Sequence, residues 1–574
     1  LEKTKKIYNK MSIASKAALW FTICGFVQKG ISFITVPIFT RLLTTEQYGV
    51  VSIFYSWESI FIIFCTLNLF SGVFNNGMIK YENDRDGFLS SMQGLVSTLT
   101  LCMLLLYLLF FKKLSLWIEI SRVLIIVMFM EILANSAFSF WSAKQRFEFK
   151  YRNMVILTLV VSVLSPLVAA VSVINTPDKF GADVRIISSA CIVIVFYGII
   201  YIINYIKGKN FFSKKYWIYA LKFNIPLVPH YLSTLILSQS DRIMISKMIG
   251  MAEAGIYGLS HNLAMILNIL TTSINNAFAP WIYQRLKEEK YRDISSVCNK
   301  LFLFVAVALA FMMAFSPEVI SILAPSEYYD AVYVIPPLAI SLYFMFMYQI
   351  FANVEFYFEK NKFIMLASIF SAGFNVFLNY IFIKKLGYIA AGYTTLVCYV
   401  ILGISHYIFS DKVAKKCIKD NIHLFDIKIV IGISCILMVF GLIMLLLYKN
   451  LLLRYGLIYI NLLYQLGGKT MKIIGVIPAR YKSSRFPGKP LADICGKPMI
   501  WWVYQQCKKV KDFSEVYVAT DDDKIYEECQ ALGIQVIMTS DKHKTGTDRI
   551  GEVAEKIPAD LIVNIQGDEP LLEP

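Results

Sequence analysis

Up to about residue 466 the chain is a succession of apolar runs separated by short polar stretches. Runs of roughly 17–25 apolar residues are long enough to cross about 30 Å of hydrocarbon. They predict fourteen spans, near 18–40, 49–70, 88–111, 116–140, 154–174, 184–206, 225–249, 254–280, 298–323, 331–354, 363–383, 388–409, 428–448 and 450–466. The last is short and carries Arg454. Each run is expected to be helical, because an unpaired backbone group in lipid is too costly. From Met471 the pattern changes to short strand-like runs alternating with helix-like ones. That alternation predicts a mainly parallel sheet with its ligand at the carboxyl ends of the strands. The expected architecture is therefore a polytopic all-α membrane protein followed by an α/β domain. Residues 1–466 form the membrane part, 467–470 the junction and 471–574 the polar domain.

Composition agrees. Of 574 residues, 57% are hydrophobic and 17% charged, and the mean hydropathy is +0.58. Soluble proteins carry about a quarter charged residues, so much of this apolar surface needs lipid as its solvent. With a cytoplasmic N-terminus, one set of loops holds Lys3, Lys5, Lys6, Lys10, Lys144, Arg146, Lys150, Arg152, Lys207, Lys209, Lys214 and Lys215. The same set holds Arg285, Lys287, Lys290, Arg292 and the cluster Lys412, Lys415, Lys416 and Lys419. It carries about 28 basic residues against about 12 on the other side, the asymmetry of the positive-inside rule. An even number of spans returns the chain to the cytoplasm at Met471. The net charge of +16 then reflects topology and contact with anionic lipid rather than nucleic acid. The basic start leads into a run too long for a signal peptide, so it is expected to be a first span, with Met11 a possible start. The eleven cysteines show no CxxC or metal-ligand spacing and are expected to be reduced packing residues.

Charge at membrane depth is costly and tends to face a cavity. Lys29, Glu58, Glu131, His230, Asp241, Arg242, Lys247 and Glu355 fall inside predicted spans, and all but His230 and Glu355 are transport-cavity candidates. Asp241 and Arg242 adjoin, so a structural ion pair competes with a substrate contact. Lys29 has no acidic neighbour within a helical turn. An internal echo links Arg41-Leu-Leu-Thr-Thr-Glu-Gln-Tyr48-Gly49 to Glu253-Ala-Gly-Ile-Tyr257-Gly258, about 200 residues later. It predicts two lobes of about six helices, the repeat design of secondary transporters, against chance similarity as the competitor.

The stretch Thr40-Arg-Leu-Leu-Thr-Thr-Glu-Gln-Tyr-Gly49 resembles the oligosaccharide flippases of the multidrug/oligosaccharidyl-lipid/polysaccharide exporter superfamily. So do Ile225-Pro-Leu-Val-Pro-His230, Ser240-Asp-Arg242 and Ala254-Gly-Ile-Tyr257. The resemblance implies a multi-pass protein of the bacterial inner membrane, with no cofactor in this part. Its implied task is turning undecaprenyl-pyrophosphate-linked oligosaccharide to the outer leaflet, for O-antigen, capsule or lipopolysaccharide assembly. An anionic pyrophosphate needs fixed cations, which Lys29, Arg242 and Lys247 can supply. The alternative is a drug/cation antiporter of the same superfamily, with Glu58, Glu131 or Asp241 at its site.

In the polar part, Arg480, Arg485 and Lys489 beside Gly488 form a cationic loop suited to a triphosphate. Asp568, just past a strand end, can hold Mg²⁺. Together they describe nucleotidyl transfer, against a solvated turn and a capping aspartate as the plain alternatives. The motifs Ile477-Pro-Ala-Arg-Tyr481, Ser484-Arg-Phe-Pro-Gly-Lys-Pro-Leu491, Val518-Ala-Thr-Asp521, Thr545-Gly-Thr-Asp-Arg549 and Asn564-Ile-Gln-Gly-Asp-Glu-Pro570 resemble the 3-deoxy-manno-octulosonate cytidylyltransferases, which activate Kdo with CTP and Mg²⁺. The resemblance implies that Arg480, Ser483, Arg485 and Lys489 contact CTP, with Arg480 and Lys489 catalytic. Gln566 would lie near the nucleotide or sugar, and Asp568 would be a metal ligand. It reaches only the first half of a family member, so the segment alone is expected not to make CMP-Kdo. Three arrangements stay open: two neighbouring genes joined in one record, a genuine fusion, or a flippase carrying a vestigial module for binding other polysaccharide-assembly proteins. The abrupt junction favours the first.

Overall fold

The computed structural model describes residues 12–70, 73–418, 423–456, 472–481, 486–510, 512–543, 545–567 and 569. Contacts divide the chain into two compact units, Leu1–Arg454 and Tyr455–Pro574. The predicted junction at 467–470 lies outside the described residues.

The first unit is helical. Its first lobe comprises α1 (Ile13–Leu42), α2 (Thr45–Thr66), short α3 (Val73–Lys80), α4 (Arg85–Leu109), short α5 (Phe111–Ile118), α6 (Arg122–Phe147), α7 (Tyr151–Ile174) and α8 (Gly181–Gly208). A connecting helix, α9 (Lys214–Asn224), leads to α10 (Val228–Met248), α11 (Met251–Lys287), α12 (Tyr291–Leu323), α13 (Ile335–Tyr357), α14 (Asn361–Leu386) and α15 (Ala390–Cys417); α16 (Ile427–Leu447) follows. Local chemistry sets several starts. Thr44 caps α2 in a reciprocal capping box with Gln47, and Ser121 and Asp426 cap α6 and α16.

Among the described residues, eleven helical segments are long and apolar enough to cross a membrane. The predicted spans at 225–249 and 254–280 are helices, α10 and α11, but fall outside those eleven. Their polar residues explain the difference: Gln239, Asp241, Arg242, His261 and Asn268 dilute the apolar character. Span 450–466 is described only as far as 456. Arg454, its conspicuous charge, is buried and ion-paired with Glu318 of α12, which offsets the cost of carrying it there.

The two-lobe expectation is met by matching contacts. In the first lobe α1 packs on α7, α6 on α8 and α7 on α8; in the second α10 packs on α14, α13 on α15 and α14 on α15. The lobes meet where α2 crosses α10 and α11. That crossing requires glycine, since a Cβ on Gly49 would overlap the Met251 carbonyl and one on Gly255 would overlap that of Thr45. The two stretches that echo each other in sequence are the two that touch.

The second unit holds a four-stranded, wholly parallel sheet in the order β5-β4-β1-β6. Its strands are β1 (Ile473–Ala479), β4 (Phe513–Thr520), β5 (Val536–Met538) and β6 (Leu561–Asn564); β2 (Asp493–Ile494) and β3 (Lys497–Pro498) make a small antiparallel pair. Helices α17 (Met499–Lys508), α18 (Asp523–Ala531) and α19 (Gly546–Lys556) connect them. One apolar layer gathers Ile477, Ile500, Val503, Val518 and Ile525, and the other Ile474, Val476, Ala519 and Val553. β1 alternates between the two layers, as a strand buried on both faces must.

Candidate functional site

In the membrane unit, a cleft of about 420 Å³ opens between the lobes. Glu58, Ser59 and Thr66 of α2, Asn68 just beyond it, and Tyr231 and Thr234 of α10 supply its polar lining. Glu58 is half-buried and close enough to Glu131 on α6 for their charges to interact. Glu131 is buried, and its Oε2 has no hydrogen-bond partner among the described residues. These groups offer hydroxyls, an amide and carboxylates; among the described residues no Lys or Arg lines the cleft.

Asp241 lies elsewhere, at the centre of a buried network in the second lobe. Its carboxylate accepts hydrogen bonds from Tyr257 at 2.5 Å, Asn379 at 2.6 Å and Thr395 at 2.7 Å. A further layer surrounds these: Asn375 donates to Thr395, Ser240 to Asn375, and Thr394 to Asn379. Arg242 is buried beside it and donates to Gln239. The three groups bonded to Asp241 are two hydroxyls and an amide N–H, each directing its hydrogen at the carboxylate. The sequence reading named Asp241 and missed Asn375, Asn379, Thr394 and Thr395. Polar residues four apart on α14, opposite adjoining threonines on α15, were the available signal.

The other candidates separate. Lys247 ends α10 and faces Glu119 of the first lobe, 3.5 Å away. Lys29 is exposed on α1 and has no hydrogen-bonded or charged partner among the described residues. His230 is half-buried. Glu355 is fully buried on His406 of α15, with 2.9 Å between Oε1 and Nδ1.

In the second unit the carboxyl ends of β1, β4 and β6 converge. Arg480 and Tyr481 follow β1, and the Gly488 N–H closes their loop on the Tyr481 carbonyl at 2.8 Å. Gly488 takes φ +73°, a backbone conformation that favours glycine, and Tyr481 stands 3.3 Å from where a Cβ would be. Lys489 starts the next turn. At the end of β4, Asp521 pairs at 2.7 Å with Arg549 of α19, whose side chain is fully buried and also reaches Thr539. Thr545 caps α19 and exchanges hydrogen bonds with Asp548; these hold the Asp548 carboxyl below its usual range, helped by the charge of His543 and of Arg480. Gly567, after β6, approaches the Pro478 carbonyl, and Gln566 is exposed. Ser483, Arg485 and Asp568 lie outside the described residues. Among the described residues no cluster of three His, Cys, Asp or Glu forms that could hold a metal. Arg549 and Asp521 belong to quoted motifs but received no role from sequence; a buried arginine is evident only once the fold encloses it.

The two units resemble two different families. Residues 14–284 match the model of a polysaccharide biosynthesis protein family and 226–381 that of the MatE family, while 474–574 match a cytidylyltransferase family. The membrane fold is like that of the lipid II flippase MurJ in an inward closed conformation (TM-score 0.55, 16% identity, 76% of this chain and 100% of that one). It is also like an inward-facing MATE multidrug-resistance transporter (TM-score 0.52, 12% identity, 70% and 99% covered). At these identities the likeness concerns fold alone. The C-terminal stretch is 60% identical over 104 residues to 3-deoxy-manno-octulosonate cytidylyltransferase of Geobacter metallireducens, covering 18% of this chain and 41% of that enzyme. A solved CMP-2-keto-3-deoxy-manno-octonic acid synthetase, described as complexed with CTP, is 53% identical over 18% of this chain and 42% of its own, at TM-score 0.18. The chain thus spans about two fifths of the length of the curated relatives it matches.

Proposed function

We propose that the membrane unit turns a lipid-linked oligosaccharide, on undecaprenyl pyrophosphate, across the bacterial inner membrane in O-antigen, capsule or lipopolysaccharide biosynthesis. The observation that carries the reading is the inter-lobe cleft. Hydroxyls, an amide, a carboxylate and the Tyr231 ring are the groups that hydrogen-bond and stack on sugars. The match of 14–284 to a polysaccharide biosynthesis family supports it. The pyrophosphate then needs a cation outside the cleft lining. Arg242 and Lys247 are engaged with protein partners, which leaves Lys29 as the first choice. The N-terminus and the second unit are assigned to the cytoplasm from loop charge. The second unit is proposed to bind CTP through Arg480, Ser483, Arg485, Lys489 and Gln566, with Mg²⁺ on Asp568, toward activation of Kdo; the identity to the Geobacter enzyme supports this.

The drug/cation antiporter stays as the second reading, favoured by Glu58 and Glu131 at the cleft and by the MatE match. Lys29→Ala separates the two. Loss of surface polysaccharide, at unchanged protein level in the membrane, is expected for the flippase. Unchanged polysaccharide together with lost drug efflux in Glu58→Gln would favour the antiporter.

A further inference from the structure

The lobes are held together at one end, where α1 runs into α2 and α10 into α11. Gly49 and Gly255 let α2 and α11 cross in backbone contact there. Around the crossing, Thr40 donates to the Leu323 carbonyl and Arg41 to that of Ile322 at 2.9 Å. Both bonds tie the end of α1 to the end of α12 in the second lobe. A separate arm reaches over from the first lobe. Short α5 exposes Leu116 and Trp117 on its apolar side, 81% and 57% exposed. That is the character of a helix lying in a membrane interface. It ends on Glu119, a non-glycine residue at φ +57°, a conformation uncommon outside glycine and asparagine. The turn aims Glu119 at Lys247 of the second lobe, with 3.5 Å between Oε1 and Nζ. The Lys247 ammonium also stands 6.0 Å from the Trp117 ring, at the limit of a cation–π contact. Trp117 in turn packs edge-on against Trp57 of α2, 4.9 Å between centroids.

We propose that α5 is an interfacial strap and that Glu119 and Lys247 form its latch, keeping this end of the two lobes shut. Lys247 then acts between the lobes rather than on substrate, and releasing the strap breaks its ion pair with Glu119 and its contact with the Trp117 ring. The inference rests on the two-lobe fold and goes beyond the flippase reading, which its test does not involve.

Hydrogen exchange, followed by mass spectrometry on the full chain in lipid nanodiscs, reads the latch in the first two turns of α2 and α11. A half-exposed ion pair shifts an opening equilibrium by roughly two- to fivefold. Glu119→Lys and Lys247→Glu are each expected to speed exchange by roughly that factor in both segments. The exchanged pair Glu119→Lys/Lys247→Glu is expected to return it close to wild type. Singles that leave both segments unchanged would overturn the latch. So would a double variant as fast as the singles, or acceleration spread equally over every helix of the membrane unit.

Discussion

Asp241 shows how a charge is kept inside a helical bundle: three donors, each from a different helix, converge on its two oxygens. Leaving a buried polar group short of a partner inside a membrane protein costs about 1–2 kcal/mol. Asn379→Leu removes one donor to Asp241 and the acceptor for Thr394, so the melting midpoint of the purified protein should fall by about 2–4 °C. Ser240→Ala is the control. It removes one of two donors to the Asn375 Oδ1, which keeps Asn379, and should shift the midpoint by less than half as much. Equal shifts would mean that the network around Asp241 is not what the helices depend on. Asp241 was readable in the sequence because a carboxylate in a span is conspicuous. Its neutral partners were not, since asparagine and threonine in a helix announce nothing until facing helices are assigned.

Among elements, the sequence pattern locates nearly every long helix of the membrane unit, because a lipid-facing helix must be apolar over most of its length. The short helices α3, α5 and α9 were not distinguished, since a run of eight to eleven residues has too little period to show. The strands of the second unit were legible for the opposite reason: β1 is apolar on both faces, and only a strand buried on both sides reads that way. What the pattern could not give is which strand ends meet. β1 sits between β4 and β6, and this order brings Arg480, Asp521 and Thr545 to one edge. A nucleotide seated there should protect that edge and little else. Adding CTP with Mg²⁺ to the full chain is expected to slow hydrogen exchange in residues 479–491 and in the first turn of α19. Arg480→Ala should abolish the protection. Unchanged exchange at saturating CTP would separate this unit from its relatives' chemistry, whatever the membrane unit does.

At the scale of the whole molecule, topology and charge make one joint statement. The loops after α6, α8 and α11 carry Lys150, Lys209 and Lys290, and the last turn of α15 carries Lys415; they fall on the same side if α10 and α11 both cross the bilayer or if neither does. Those are the two helices whose composition alone does not qualify them as spans, so composition points to neither crossing, whereas their match to α1 and α2 in the first lobe points to both. The buried network around Asp241 resolves the tension. Polar groups satisfied within the bundle need not face lipid, and α10 packs against α2 and α14 while α11 packs against α2 and α13. Both helices are therefore expected to cross, returning the chain to the side on which it began. Trypsin added to inside-out vesicles should then cut at Lys209, Lys290 and within residues 472–569, whereas intact spheroplasts should protect all three regions. Cleavage of 472–569 from outside, with Lys209 still protected, would require an odd number of crossings after α8. Such a result would place any CTP site away from the cytoplasmic nucleotide pool, and sugar activation by this chain would then have no substrate.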